Sequence, residues 1–256
     1  MQHGNFTGLA QNYSSFRPGY SQSVLHALLA LLNKPIEECR LVDVGAGTGI
    51  WTRMLESMNP DDIIAIEPND DMRQMGVRDS RHTKITWQEG SGENVGIADG
   101  SADMISMASS FHWVDFDKGC KEFHRVLRNN GRFVALWNPR YMEANPFLKE
   151  LEDYLLVLKP DIKRVSSGRQ GLVDTLTDQL YKTGMFDDVI YIEGKHTVSV
   201  TPEQYIGAWR SVNDVQFQLG AEKFAKFIEY LQQSLAEHST VDVTYLTRAW
   251  SARKSA

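Results

Sequence analysis

A short apolar segment that runs into a glycine-rich turn constrains the fold of this chain more than any other feature. The segment 40–44 reads Arg-Leu-Val-Asp-Val, and glycine then occupies three alternate positions: Gly45, Gly47 and Gly49. Glycine has no Cβ atom, so the backbone there can turn tightly and come close to a ligand. The pattern predicts a buried strand, a turn, and then a helix over 50–58 that ends at Asn59-Pro60.

Strand and helix patterns alternate over the first 140 residues. Further strands are predicted at 63–66, 85–88, 104–108 and 132–137, and helices at 21–32, 71–78 and 116–127. This alternation is typical of βαβ units around a parallel sheet, and right-handed crossovers place helices on both of its faces. The sequence therefore predicts an α/β fold.

The second half of the chain is less regular. It shows helical patterns at 146–158, 172–183, 202–209 and 221–236, and strand patterns at 189–193, 197–200 and 241–252. The extra helices have no obvious place in the sheet, so we expect them to form a cap. The predicted parts of one domain are a lid and first helix (1–34), a ligand-binding half (35–139), cap segments (140–183 and 202–238) and a closing strand (239–256).

Glu67 ends the second predicted strand, about 20 residues beyond Gly45, where such folds place an acid that binds ribose hydroxyls. A nicotinamide fingerprint needs glycine where this chain has Ile50 or, counted from Gly47, Thr52, and no Gly-Lys-Ser/Thr follows to make a phosphate loop. The pattern thus suits a ligand with a ribose and no phosphate, such as S-adenosylmethionine. The alternative is a glycine turn that only packs strand against helix.

The segment 42–49 resembles the first motif of class I S-adenosylmethionine-dependent methyltransferases, and Glu67 is similar to their ribose-binding acid. The segments 90–93 and 99–103 resemble the part of these enzymes that lies beside the adenine. Many relatives carry Asp where this chain has Ser91, so the contact to the adenine amino group stays open.

The segment 110–115, Ser-Phe-His-Trp-Val-Asp, resembles the His-Trp signature of the small-molecule branch that includes trans-aconitate methyltransferases and other type 11 proteins. The segment 125–132 is similar to the family's turn into strand five. The match covers most of 5–139 and the closing strand near 245–253. It implies a Rossmann-like, seven-stranded, mostly parallel sheet with a helical cap insertion, and S-adenosylmethionine as the cofactor, released as S-adenosylhomocysteine.

The predicted cofactor-binding residues are Tyr13, Arg17, Asp43, Gly45, Ala46, Gly47, Glu67, Pro68, Met72, Ser91, Gly92, Glu93, Ser109 and His112. The aromatic face of Tyr13 would attract the sulfonium cation, and Arg17 would pair with the carboxylate of the methionine portion. The alternative for these residues of the N-terminal arm is that they only anchor the terminus.

The predicted acceptor-side residues are Tyr20, Trp113, Trp137, Asn138, Arg140, Trp209 and Arg210. For Arg140 and Arg210 an ordinary surface position is an equal alternative. His112 is the candidate catalytic residue, as a general base, with a neutral hydrogen-bonding wall as its alternative. The amphipathic stretch 224–235 predicts a core-facing helix rather than a dimer surface.

Net charge is −6 and no dense basic run occurs, which argues against nucleic acid as a partner. Cys39 and Cys120 lack metal-ligand spacing, so we expect no metal and a reducing cytoplasm, with a disulfide as the alternative. The N-terminus is not of the secretory type, and no apolar run predicts a membrane span.

The expected function is methyl transfer to a small-molecule acceptor, by a monomer or homodimer. The acceptor atom is expected to be a carboxylate or hydroxyl oxygen, because a carboxylate needs no base and no clear acid–base pair is present. The alternatives are an N- or C-directed enzyme, a cofactor-binding protein without transfer, and methylation of RNA or protein.

Overall fold

A computed structural model describes residues 10–163 and 172–255, which contain one seven-stranded sheet. Its strands are β1 (Arg40–Val44), β2 (Asp62–Ile66), β3 (Thr86–Gln88), β4 (Ala102–Ala108), β5 (Leu127–Trp137), β6 (Phe186–Val200) and β7 (Val241–Lys254). The order is β3-β2-β1-β4-β5-β7-β6. Strands β1 to β5 pair in parallel, and β7 is antiparallel to both β5 and β6. The predicted fold class is confirmed.

The helices of the described residues are α1 (Ala10–Phe16), α2 (Gln22–Ala30), α3 (Ile50–Glu56), α4 (Asp70–Asp79), α5 (Phe116–Val126), α6 (Pro146–Leu158), α7 (Leu172–Lys182), α8 (Pro202–Arg210) and α9 (Asn213–Ser234). Capping side chains set the first residue of several helices. The Asn69 side chain accepts a hydrogen bond from the Met72 N–H at the start of α4, and Thr201 with Gln204 forms a capping box at α8. Within this part of the chain, no helix has the length and apolar character needed to cross a membrane.

Four elements differ from the prediction, and one of them is β5, which begins at Leu127 rather than at 132. The N-terminal arm contains the short helix α1, and β6 is one continuous strand where two were predicted. Helix α9 begins at Asn213 rather than near 221, with Gly220 at φ 68° and ψ 171° in between. Glycine adopts that conformation without strain, so the chain breaks and resumes helix there. The predicted loop 159–171 lies partly outside the described residues.

Successive side chains along each strand point to opposite faces of the sheet, and each face has its own hydrophobic core. Phe133, Ala135 and Trp137 of β5 pack on the face covered by α5, whereas Val134 and Leu136 pack on the face covered by α2 and α3. Cys120 belongs to the first core and Cys39 to the second, and both are free buried thiols. The sheet separates the two thiols, so the alternative of a disulfide is excluded.

A third core joins α6, α8 and α9 to the end of β6 and the start of β7. It includes Leu151, Trp209, Phe227 and Leu231, all fully buried. The amphipathic stretch 224–235 therefore faces a core, as predicted. These three helices are called the cap helices below, after the predicted cap to which they belong.

Helix α7 was grouped with the cap in the prediction, but it packs on the sheet. Its apolar residues Val173, Leu176 and Leu180 are buried in the first core together with Phe186 of β6. The short connection at 183–185 forces α7 to lie beside the strand that follows it, so its apolar face covers β6 rather than the cap helices.

Replacement of a buried leucine tests this position of α7. Leu176→Ala removes a fully buried side chain, so we expect the free energy of unfolding to fall by about 2–5 kcal/mol in urea titrations. Leu156→Ala on α6 is the matched control, because Leu156 is 48% exposed, and its effect should stay within about 0.5 kcal/mol. Equal effects of the two substitutions would contradict the assignment.

Candidate functional site

The candidate site lies where the order of the parallel strands reverses. The chain runs from β1 outward to β2 and β3, and then returns to pair β4 with the other side of β1. In open α/β sheets, ligands bind at the carboxyl ends of the strands beside such a switch point. The glycine turn follows β1, and the segment 109–113 follows β4. Both therefore lie at this edge.

The glycine turn requires glycine for steric reasons. Gly45 has φ 66°, and a Cβ atom there would lie 2.7 Å from the Cβ atom of Ser110. The Ser110 hydroxyl donates to the carbonyl oxygen of Val44 at 3.1 Å, which holds that side chain under the turn. Gly47 also has a positive φ, of 60°. The backbone of the turn consequently faces the cavity with no side chain at either position.

Glu67 is 7% exposed and connects the end of β2 to the glycine turn. One carboxylate oxygen accepts a hydrogen bond from the Gly47 N–H at 2.7 Å, and the other accepts from the Asn69 N–H at 2.9 Å. Burial raises the pKa of Glu67, although both hydrogen bonds favour the charged form. Each carboxylate oxygen can accept more than one hydrogen bond, so the group retains capacity for hydroxyl donors of a ligand.

Asp43 was predicted to bind cofactor, but it lies beneath the turn and does not line the cavity. It is fully buried and accepts hydrogen bonds from the hydroxyls of Thr52 at 2.6 Å and Ser106 at 3.0 Å. Burial raises the pKa of Asp43 to about 7 despite these two hydrogen bonds. The carboxyl group therefore supports the turn from below.

A cavity of about 270 Å³ opens above the turn. The predicted cofactor residues that line it are Tyr13, Arg17, Gly45, Ala46, Gly47, Glu67, Pro68, Met72, Ser91, Gly92, Glu93 and Ser109. Three predicted acceptor-side residues also line it: Tyr20, Trp113 and Asn138. The structure thus brings together residues from the N-terminal arm and from the segments that follow five strands, β1 to β5.

The sequence prediction missed several residues of the cavity wall: Pro18, Ile50, Trp51, Asn69, Met107, Ala108, Ser110, Val114 and Tyr245. All but one stand within a few positions of a predicted residue, so extending each motif along the chain would have found them. Tyr245 comes from β7, and no local motif marks it.

The N-terminal segment closes the cavity through polar contacts. The Arg17 Nε donates to the Ser211 hydroxyl of the cap at 2.9 Å, and the Tyr20 hydroxyl lies 3.0 Å from that of Ser109. The carbonyl oxygen of Gly19 accepts from Asn138 at 3.0 Å and lies 3.1 Å from the Nε2 atom of His196. Burial raises the pKa of Tyr20 far above its usual range, so this phenol stays neutral.

His112 does not line the cavity, and its geometry does not favour a base. Its Nδ1 atom accepts a hydrogen bond from the indole N–H of Trp137 at 3.2 Å. The neutral ring then carries its proton on Nε2 and has no free lone pair with which to take another. Trp137 is itself buried behind His112 and does not line the cavity, because its ring lies in the first core.

Three other predicted acceptor-side residues also lie outside the cavity. Trp209 is buried in the third core, and Arg210 is exposed at the end of α8. The Arg140 guanidinium lies 4.4 Å from the centre of the Trp209 ring, which turns it towards the cap. Trp209 therefore contributes to the third core and Arg140 packs against it, whereas Arg210 is exposed.

Several known proteins resemble this chain in sequence or in structure. Residues 42–135 match the methyltransferase domain family. An uncharacterized methyltransferase of Mycobacterium tuberculosis is 28% identical over 227 residues, which cover 88% of this chain and 83% of that protein. A protein of Anaeromyxobacter dehalogenans, provisionally assigned as a type II methyltransferase, has a structure with a TM-score of 0.68 at 19% identity, over 93% of this chain and 98% of that one.

A further solved structure is phosphoethanolamine N-methyltransferase 2 of Haemonchus contortus in complex with S-adenosyl-L-methionine. Its TM-score is 0.56 at 13% identity, and the match covers 98% of this chain and 58% of that one. The sheet order and the glycine turn define the class I methyltransferase fold. Together with the family match and the similar proteins, they identify the chain as an S-adenosylmethionine-dependent methyltransferase.

The residues of the cavity fit this cofactor by charge. The acidic and basic side chains among the described residues of the lining are Glu67, Glu93 and Arg17. Two carboxylates repel a phosphate but accept hydrogen bonds from ribose hydroxyls, and the aromatic ring of Tyr13 suits a sulfonium cation. The absence of a phosphate-loop motif in the sequence and the acidic side chains of the cavity therefore both favour a ligand without a phosphate group.

The pKa of Asp43 makes stability depend on pH. The unfolded carboxyl titrates near pH 4, so the folded protein holds this proton more tightly, and the group's stabilising contribution is complete below about pH 4 and is lost as pH rises through about 7. Between these values the free energy of unfolding should fall by up to about 1.4 kcal/mol per pH unit. Asp43→Asn removes the titration and should flatten the dependence in urea unfolding at pH 5 to 8. Equal slopes for variant and wild type would contradict this account.

Proposed function

We propose that this methyltransferase acts on a small-molecule acceptor and transfers the methyl group to an oxygen atom, that of a carboxylate or a hydroxyl. The observation that carries the proposal is the character of the cavity wall beyond the glycine turn. It presents the neutral polar side chains of Tyr20, Ser109, Asn138 and Tyr245. Neutral hydrogen-bonding groups orient an acceptor oxygen but do not remove a proton from it, which favours an acceptor that is already nucleophilic.

We further propose roles for the cofactor end. The Glu67 carboxylate would accept hydrogen bonds from the ribose hydroxyls, and the turn backbone at Gly45 to Gly47 would lie beside the methionine portion. Arg17 uses its Nε and one terminal nitrogen on Ser211, so one nitrogen remains for the methionine carboxylate. Tyr13 stacks with its ring 5.2 Å from the Arg17 guanidinium, which orders both side chains at the cavity wall.

S-adenosylmethionine supplies, when bound, a methyl group that its sulfonium already activates. The chain has to hold the acceptor in line with that group, and orientation alone is worth about 7–11 kcal/mol. Neutral Tyr20, joined to Ser109, acts as a fixed hydrogen-bonding wall rather than as a base. Contacts from Arg17 and Gly19 to the cap and the strand ends close the segment over the cavity and exclude water.

The role of Glu67 is tested by Glu67→Gln, which keeps the side-chain shape and one oxygen but removes the charge. A hydrogen bond to a charged group is worth about 1.5–3 kcal/mol, so the calorimetric Kd for S-adenosylmethionine should rise more than tenfold. Glu89→Gln is the matched control at an exposed carboxylate outside the cavity, and its Kd should be unchanged. An unchanged Kd for Glu67→Gln would remove the proposed ribose contact.

The acceptor is tested by incubating the protein with methyl-labelled S-adenosylmethionine and a panel of carboxylic acids, phenols, amines and carbon acids of similar size. We expect label in methyl esters or methyl ethers, identified by mass spectrometry. Label found in amine or carbon products alone would overturn the oxygen assignment. Tight cofactor binding without product from any acceptor would indicate a binding protein instead.

A further inference from the structure

Arg140 follows β5, and its guanidinium lies against aromatic side chains rather than in a salt bridge. Its guanidinium lies 4.4 Å from the ring centre of Trp209 and 5.5 Å from that of Tyr205. Its Nε atom is buried without a hydrogen-bond partner. Among the residues that the structure describes, none forms a salt bridge with it. Arg140 is thus a cation in an aromatic enclosure.

Such a position is costly for a guanidinium. A guanidinium that packs against aromatic rings loses part of its hydration, and the cation–π contacts return about 2 kcal/mol. By contrast, the buried Arg132 has Asp188 as an ion partner and the Ser251 hydroxyl as an acceptor. Arg132 is therefore paired with a carboxylate inside the protein. Arg140 forms no such salt bridge with a described residue.

Tyr245 connects Arg140 to the cavity. The two residues form an antiparallel bridge, flanked by the hydrogen bonds Tyr141 N–H to Thr244 at 2.8 Å and Leu246 N–H to Pro139 at 2.9 Å. Tyr245 lines the cavity, and the ring of His196 stacks on it at 5.6 Å. Although burial acts in the opposite direction, the phenols of Tyr245 and Tyr205 and the Glu152 carboxylate raise the pKa of Arg140, so it stays cationic.

We propose that Arg140 and Tyr245 form a specificity site for an anionic acceptor. Seen from the cavity, the Arg140 guanidinium lies behind the Tyr245 phenol. The Tyr245 hydroxyl donates a hydrogen bond to an acidic group of the acceptor. Arg140 makes no direct contact with the cavity, so it is a positioning residue that acts through Tyr245. The inference rests on the proposed small-molecule function and narrows it to acceptors with a negative charge.

Equilibrium binding to the S-adenosylhomocysteine-loaded protein tests this without turnover. The probes are matched acids and amides: benzoate and benzamide, hexanoate and hexanamide, glutarate and glutaramide. We expect at least one acid to bind the wild type ten times more tightly than its amide in calorimetric titrations. Arg140→Gln and Tyr245→Phe should each weaken that acid at least tenfold and leave the amide unchanged, and Arg140→Lys should restore part of the loss.

Two controls separate specificity from folding. The Kd for S-adenosylhomocysteine should stay within twofold in Arg140→Gln and Arg140→Lys, because Arg140 does not line the cavity, and Arg81→Gln, at an exposed arginine remote from the cavity, should bind the acid like the wild type. Acids and amides that bind alike, acids that do not bind, or an Arg140→Gln variant that keeps the preference would each overturn the proposal. Acid preference combined with nitrogen- or carbon-methylated products would instead overturn only the oxygen assignment.

Discussion

The Glu67 carboxylate is the link on which the rest of the site depends. It binds the Gly47 and Asn69 backbone N–H groups at once, so the turn after β1 and the segment after β2 share one anionic anchor. A second buried carboxyl group, Asp43, supports the same turn from below through Thr52 and Ser106. The turn is therefore fixed before any ligand arrives, which is what preorganised binding requires.

The parallel half of the fold was predictable because its information is local. A short apolar run that is followed by a glycine turn and an amphipathic helix is typical of a buried strand, and the alternation of strand and helix continues after β2 and β4. Glu67 could be placed for the same reason, since its spacing from Gly45 follows from one βα unit. Most predicted cofactor residues consequently line one cavity.

The acceptor side was less predictable because distant segments build it. Tyr245 reaches the cavity from β7, and only the antiparallel pairing of β7 with β5 brings it near Asn138. His112 and Trp137 stand next to correct motifs, yet their mutual hydrogen bond turns both away from the cavity. Arg140 and Trp209 are distant in the sequence and come into contact only in the folded protein. Sequence spacing alone does not distinguish such a pair from acceptor-binding residues.

A crystal structure with S-adenosylhomocysteine tests the central claim most directly, because the claim concerns where one ligand lies. We expect both ribose hydroxyl oxygens within about 2.5–3.0 Å of the Glu67 carboxylate, with the amino-acid portion beside the glycine turn and the sulfur facing Tyr20 and Tyr245. A ribose bound elsewhere, with Glu67 still held only by Gly47 and Asn69, would contradict it.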